Sequence, residues 1–227
     1  MSGTAGKTFQ IWHGSRRWDG VPEIRPAKKG RAESGTGIYG STHFETCQGY
    51  AKGGGKVQLL TIQQTRILEK SCIPLDTALD FVRRNISRSQ QKSFIEDCEN
   101  VAERQQDRIL THNDPIGQLK AGDLWFPAEA LRNLMVNAEL SSGTKGLALT
   151  HFLAEQGIGL STERGGMRSN EAWTVIYDPR LIVSWEGHTY ESALEVGHVL
   201  PSPDAHSIEP VEYIRAARRS YTYDLDM

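Results

Sequence analysis

Residues 8–16 read Thr-Phe-Gln-Ile-Trp-His-Gly-Ser-Arg. Phe9, Gln10 and Ile11 alternate apolar and polar side chains, the period-two pattern of a strand with one buried face. Gly14 ends the run, so the strand delivers His13 to its tip. Residues 16–36 (RRWDGVPEIRPAKKGRAESGT) follow as a loop, because Gly and Pro interrupt any helix. This loop carries Arg16, Arg17, Arg25, Lys28, Lys29 and Arg31 against Asp19, Glu23 and Glu33, a local excess of positive charge. Gly37-Ile38-Tyr39 reads as a short strand. Residues 43–52 (HFETCQGYAK) read as a helix stopped by Gly53-Gly54-Gly55, and residues 56–63 (KVQLLTIQ) as a buried strand.

Further along, the period changes. Leu79, Val82, Ile86, Phe94, Cys98, Val101 and Ile109 recur mostly at three- to four-residue steps, which predicts one long or two consecutive helices over 76–111. Asn113-Asp114-Pro115 ends them. Another helix begins at Pro127, a residue tolerated in a first helical turn. Leu149, Phe152 and Leu153 mark one more, closed by Gly157. Strands then return at 158–162, 172–178 and 181–185, with a turn-rich loop at 163–170. A last helix is expected over 209–219, with Arg215, Arg218 and Arg219 near its end, where the helix dipole favours cations. Strands at both ends with helices gathered between them predict α+β rather than alternating βαβ. The 227 residues fit a single domain. It divides into a β core (8–63 and 158–186), a helical insertion (75–156) and a C-terminal extension (187–227).

Composition narrows the class. With 38% hydrophobic and 24% charged residues, the chain has enough apolar material for a core. A formal charge of −2 excludes a strongly basic nucleic-acid binder. Cys47, Cys72 and Cys98 are odd in number and lack CxxC spacing, which argues against a disulfide framework and points to a reducing, cytoplasmic compartment. The first ten residues hold no apolar leader stretch. No run approaches the roughly 20 apolar residues of a membrane span, so no membrane partner is expected. The seven histidines form neither HExxH nor HxxxH, so no metal is expected.

Three short pieces carry candidate chemistry: Ile11-Trp12-His13-Gly14-Ser15-Arg16, Gly37-Ile38-Tyr39 and Asn170-Glu171. Taken singly, a His at a strand end, a Tyr after Gly-Ile and a Glu before an apolar strand are ordinary structural residues. Together, and in this order, they resemble the His-Tyr-Glu class of ADP-ribosyltransferases, the poly-ADP-ribose-polymerase and diphtheria-toxin-like group. WHGSR at 12–16 resembles that family's first strand, and GIY at 37–39 its second motif. Tyr50 falls eleven residues after Tyr39, where the family places a second stacking aromatic. SNEAWTVIYD at 169–178 is similar to the strand bearing its glutamate.

The resemblance implies an ADP-ribosyltransferase-like split β-sandwich with helices inserted between its N-terminal and C-terminal strands. It implies a mono-ADP-ribosyltransferase that cleaves NAD as co-substrate and passes ADP-ribose to a nucleic acid or protein. Catalytic residues would be Glu171, His13 and Tyr39. His13, Gly14, Ser15, Tyr39 and Tyr50 would bind NAD: His13 at a ribose hydroxyl, the Gly14 backbone at the nicotinamide carboxamide, and the two tyrosines around the ring. Glu171 would bind the ribose C2′ hydroxyl and stabilise the cationic sugar as nicotinamide leaves. The chemistry is coherent in its own right. Breaking a glycosidic C–N bond builds positive charge on the sugar, so an anion and a clamp on the leaving ring suffice.

The chain departs from the pattern in three places. Cys47 stands where the family often has a serine touching the nicotinamide amide; either Ser41 or Thr46 substitutes, or the amide is held less firmly. Glu171 and Asp178 are farther apart than expected. Either a bulge absorbs the difference, or Trp173 holds the glutamate's place and Glu171 is only a loop residue; Glu163 is the reserve carboxylate. Ser169, two before Glu171, disfavours the arginine-modifying toxin branch. Arg164, Arg168 and Ser169 are the candidate acceptor contacts. The arginines contact pyrophosphate, are solvated, or guide a nucleic acid past Trp18. The expected setting is a bacterial or phage toxin or defence effector with an antitoxin or inhibitor partner. The competing readings are an NAD glycohydrolase and an inactive nucleotide- or partner-binding relative.

Overall fold

The computed structural model describes residues 7–16, 20, 22–28, 34–51, 56–113, 124–165, 168 and 170–203, with backbone alone for 107–113. The helix expected over 209–219 and the glycines at 53–55 lie outside the described residues.

The first half supplies β1 (Thr8–Gly14), β2 (Ile38–Ser41), α1 (Phe44–Tyr50), β3 (Val57–Gln63) and the two-residue β4 (Arg66–Ile67). β5 (Cys72–Pro74) and β6 (Trp125–Pro127) form a separate antiparallel pair that brackets α2 (Leu75–Asn85) and α3 (Arg88–Asn113). α4 (Ala128–Asn137) and α5 (Gly143–Glu155) complete the helical part. β7 (Ile158–Arg164), β8 (Ala172–Ile176), β9 (Ile182–His188) and α6 (Tyr190–Val196) follow. The architecture is α+β, as the alternation of periods predicts.

Local chemistry explains several boundaries. The single run of helical periodicity over 76–111 breaks into two helices because Ile86 is extended. The Gln91 amide donates to Arg83 O and Ile86 O, satisfying carbonyls at the end of α2. Gly157, just past α5, sits at φ 70°, a left-handed turn that suits glycine. Pro127 caps α4 and needs no N–H of its own there. β4, β5, β6 and α6 were not foreseen; the strands are only two or three residues long and show no period.

Seven strands form one sheet in the order β4-β7-β8-β2-β1-β3-β9. All neighbours are antiparallel except β4 and β7. β8 and β9 lie four places apart in this order, about 19 Å in a flat sheet. Only Tyr177–Leu181 link them, and Pro179–Leu181 form a compact 3-10 turn. The sheet therefore curls. One apolar cluster inside it draws on all seven strands: Phe9 and Ile11, Ile38, Leu60 and Ile62, Ile67, Leu160, Ile176 and Ile182.

Two more clusters flank this one. α2 to α5 pack Leu79, Phe81, Leu131 and Leu153, with Phe126 of β6, against Val175 and Tyr177 at the β8 end. α1 and α6 cover Trp12, Val57 and Leu59 with Phe44, Cys47 and Ala193. Each fully buried Leu or Phe contributes roughly 1.5–3 kcal/mol, so these clusters hold the helices to the sheet. Arg132 of α4 adds a polar tie. It is buried, and its guanidinium pairs with Glu163 of β7 and Glu129 of its own helix.

Leu131 is fully buried at the centre of the helical cluster. Leu131→Ala should cost about 2–5 kcal/mol in a urea titration. A loss below about 1 kcal/mol would mean that this core is packed otherwise.

Candidate active site

β1 and β2 are neighbours, and β2 pairs on its other side with β8. This order brings together three pieces of chain that are far apart in sequence. A cavity of about 510 Å³ opens at their shared end. β1 contributes His13 and Gly14, β2 contributes Tyr39, Gly40 and Ser41, α1 contributes Thr46, Cys47 and Tyr50, and β8 contributes Trp173. The volume falls within the roughly 300–1,000 Å³ of small-molecule sites.

His13 is half-buried, and its Nδ1 lies 2.7 Å from Tyr39 O. Since a carbonyl only accepts, Nδ1 carries the proton. Burial pushes the His13 pKa down, against a smaller opposing effect of that hydrogen bond, so the ring is neutral near pH 7. The Tyr39 hydroxyl donates to Gly35 O, which fixes the ring's reach along the cavity wall. Tyr50 is 57% exposed at the end of α1 and lines the cavity.

Glu171 is 2% exposed and stands one residue before β8. Asn170 has φ 63°, a left-handed conformation that Asn tolerates, and it turns the chain into the strand. Pairing of β8 with β2 and β7 is regular from Ala172 to Ile176, so no bulge absorbs the long Glu171–Asp178 spacing: Trp173 takes the ladder position and Glu171 lies in the loop before the strand. Trp173 faces Ser41 in register, and Glu171 reaches the same Ser41 from outside the ladder.

The Ser41 hydroxyl donates to Glu171 Oε1 at 2.7 Å and accepts the His43 N–H at 3.0 Å. Thr42 secures the same junction: its N–H donates to Ala172 O, and its hydroxyl accepts the Ala172 N–H. Burial would raise the Glu171 pKa. The polar groups of Thr46, Ser41 and Trp173, with His43 nearby, outweigh it and hold the carboxyl below its ordinary range. Glu171 Oε2 is buried without a hydrogen-bond partner. The carboxylate thus sits one hydrogen bond behind the cavity wall, ionised, and is not itself among the residues that line the cavity.

Three expectations take a different physical form. Gly14 lines the cavity, and a Cβ there would lie 1.8 Å from Cys47 O, so the glycine also makes room for helix α1. The Cys47 thiol donates to Trp12 O at 3.0 Å, and burial pushes its pKa up to about 12, so it is an inert packing group. Arg168 pairs with Glu45 of α1, which ties the loop before Glu171 to that helix and reduces the positive charge of the rim. Ser15 and Arg164 are not among the residues lining the cavity. Ser169 and Trp18 lie outside the described residues. Glu163, the reserve carboxylate, is held by Arg132 and Ser34 and is also not among the lining residues.

Sequence reasoning named Ser41 only as a partner for an amide; the structure gives it to Glu171. His43 was not singled out among the seven histidines, yet it borders the carboxylate. Their adjacency to the GIY motif in GIYGSTH was the available signal. Among the described residues, no cluster of three or more His, Cys, Asp or Glu is arranged to hold a metal, and no helix is long and apolar enough to cross a membrane. Searches against family models, curated proteins and solved structures found no match to this chain.

Gly14→Ala should drive α1 off the end of β1 and cost about 1–3 kcal/mol of stability, read from the urea midpoint. A variant as stable as the wild type would show that α1 yields without strain.

Proposed function

We propose that the chain is a mono-ADP-ribosyltransferase that cleaves NAD at the nicotinamide–ribose bond and transfers ADP-ribose to a macromolecular acceptor. One observation carries the reading. A buried, ionised carboxylate with an unsatisfied oxygen adjoins a cavity walled by a neutral His and two tyrosines. That donor set fits the nicotinamide-ribose half of NAD. Tyr39 and Tyr50 offer aromatic faces for the ring. His13 offers a neutral imidazole for a ribose hydroxyl. Glu171 offers negative charge where the sugar turns cationic.

In this reading the residues divide the work. The aromatic wall and the β1 tip bind and orient NAD, which keeps the scissile bond near the carboxylate. Ser41 and Thr42 hold Glu171 still, so no reorganisation is needed as charge develops. The Glu171 carboxylate stabilises the sugar cation and orients the incoming nucleophile. Its lowered pKa keeps it charged at neutral pH, so activity through Glu171 should persist until the pH falls below the usual carboxylate range.

Glu171→Gln should bind NAD nearly normally and lose roughly two to four orders of magnitude in nicotinamide release. Retention of more than about a tenth of the wild-type rate would remove Glu171 from the chemistry. His13→Ala should weaken NAD binding as well as turnover, seen by calorimetry; unchanged affinity would end its assignment. The acceptor is read by incubating the protein with labelled NAD and a cell lysate, then digesting with protease or nuclease. Label in the large-molecule fraction supports transfer, and the treatment that removes it names the acceptor class. Nicotinamide release without such label identifies a glycohydrolase instead.

A further inference from the structure

The turn before β2 reads Gly35-Thr36-Gly37, one side chain between two glycines, and glycine gives a backbone its widest freedom. Two cavity residues nevertheless depend on it. Gly35, at φ 97°, accepts the Tyr39 hydroxyl on its carbonyl at 2.5 Å, and the Tyr39 carbonyl accepts from His13 Nδ1. The helical part holds this turn. Thr36 is 1% exposed; its hydroxyl donates to Ser141 O, between α4 and α5, at 2.9 Å, and its carbonyl accepts the Thr150 hydroxyl of α5 at 2.5 Å. A threonine inside a helix often returns its hydroxyl to the carbonyl four residues back. Here that contact, to Gly146 O, is the longer one at 3.1 Å, so Thr150 reaches chiefly out of its helix. A Cβ at Gly146 would lie 2.0 Å from Ser141 O and 2.6 Å from Thr36 Oγ1, so α5 is seated directly on the joint.

We propose that Thr150 is a positioning residue for the cavity: from α5 it fixes Thr36 and, through Gly35, the hydroxyl end of Tyr39, so that the helical part sets the aromatic wall. This rests on the NAD-cleaving reading, in which Tyr39 faces the nicotinamide ring. Thr150 is not among the residues lining the cavity, so it acts through the backbone of the turn and not on the ligand. Glu171 is held separately, by Ser41 and by Thr42 at the same junction. Loss of the Thr150 hydroxyl therefore loosens the clamp on the ring in ground state and transition state alike, and leaves the action of the carboxylate on the sugar intact.

The test compares Thr150→Val, which keeps the shape of the side chain and loses the hydroxyl, with Thr150→Ser, which keeps the hydroxyl. Thr150→Val should raise KM for NAD by about 3- to 10-fold, the scale of one neutral hydrogen bond, with kcat within about two-fold of the wild type. Thr150→Ser should keep the wild-type KM. If Thr150→Val does not fold, Thr36→Val, which breaks the Ser141 side of the same joint, carries the same expected rise. An unchanged KM, a loss confined to kcat, or equal changes in the valine and serine variants would overturn the assignment of Thr150 and leave the NAD-cleaving reading standing. A second measurement needs no substrate. In Thr150→Val the backbone amides of residues 37–41 should exchange hydrogen faster than in the wild type, and those of α1 should not change. Unchanged exchange at 37–41 would also overturn the proposal. A wild-type chain that releases no nicotinamide would instead remove the underlying reading, and the exchange comparison then decides the positioning by itself.

Discussion

The Ser41–Glu171 hydrogen bond is the constraint on which the site depends. It joins two residues separated by most of the chain, the end of β2 and the residue before β8. A buried carboxylate is expensive unless hydrogen bonds compensate for lost water. Here the Ser41 hydroxyl supplies one such bond, and its rotor is fixed because it already accepts the His43 N–H. Thr42 locks the backbone on the other side of the junction. The carboxylate therefore keeps its charge and its place without a cationic side chain bonded to it among the described residues.

The surrounding fold explains why that junction is rigid. β2 is flanked by β1 and β8, so its residues cannot shift without breaking two ladders. α1 is pressed so closely on the end of β1 that a single methyl group at Gly14 would strike the helix backbone. Cys47 completes the contact with a thiol turned to the main chain. At the far end of β7, buried Arg132 links the helical part to Glu163. In β8 register, Glu163 lies opposite Trp173, so the helical part braces the strand pair that carries the cavity wall.

Packing and electrostatics thus divide the carboxylates. Glu163 is close to Glu171 in sequence, but it is engaged by a guanidinium and a hydroxyl at the rim. Glu171 has one engaged oxygen and one that is buried and unsatisfied. Such a group is unusual in a folded interior, and the proposed role of Glu171 rests on it. The arginines of the preceding loop do not form an unopposed basic rim, since Arg168 is paired with Glu45.

Period revealed the alternation of β1 and the helical stretch of the middle, because regular burial imprints a repeat on the sequence; the buried β3 was legible from its β-rich composition instead. The same repeat could not show that Ile86 breaks the helices, since an extended residue there is decided by Gln91 reaching back to cap α2. The two- and three-residue strands β4, β5 and β6 were invisible for want of length. For the site, His13, Tyr39 and Glu171 were each legible as residues with chemistry at an element's edge. Their meeting was not, because it depends on β2 lying between β1 and β8 in the sheet. Gly14 is the plainest case: the missing side chain was evident from the letters, but whether a ligand or a helix fills that space is set by how α1 packs, a contact between elements that no local pattern encodes.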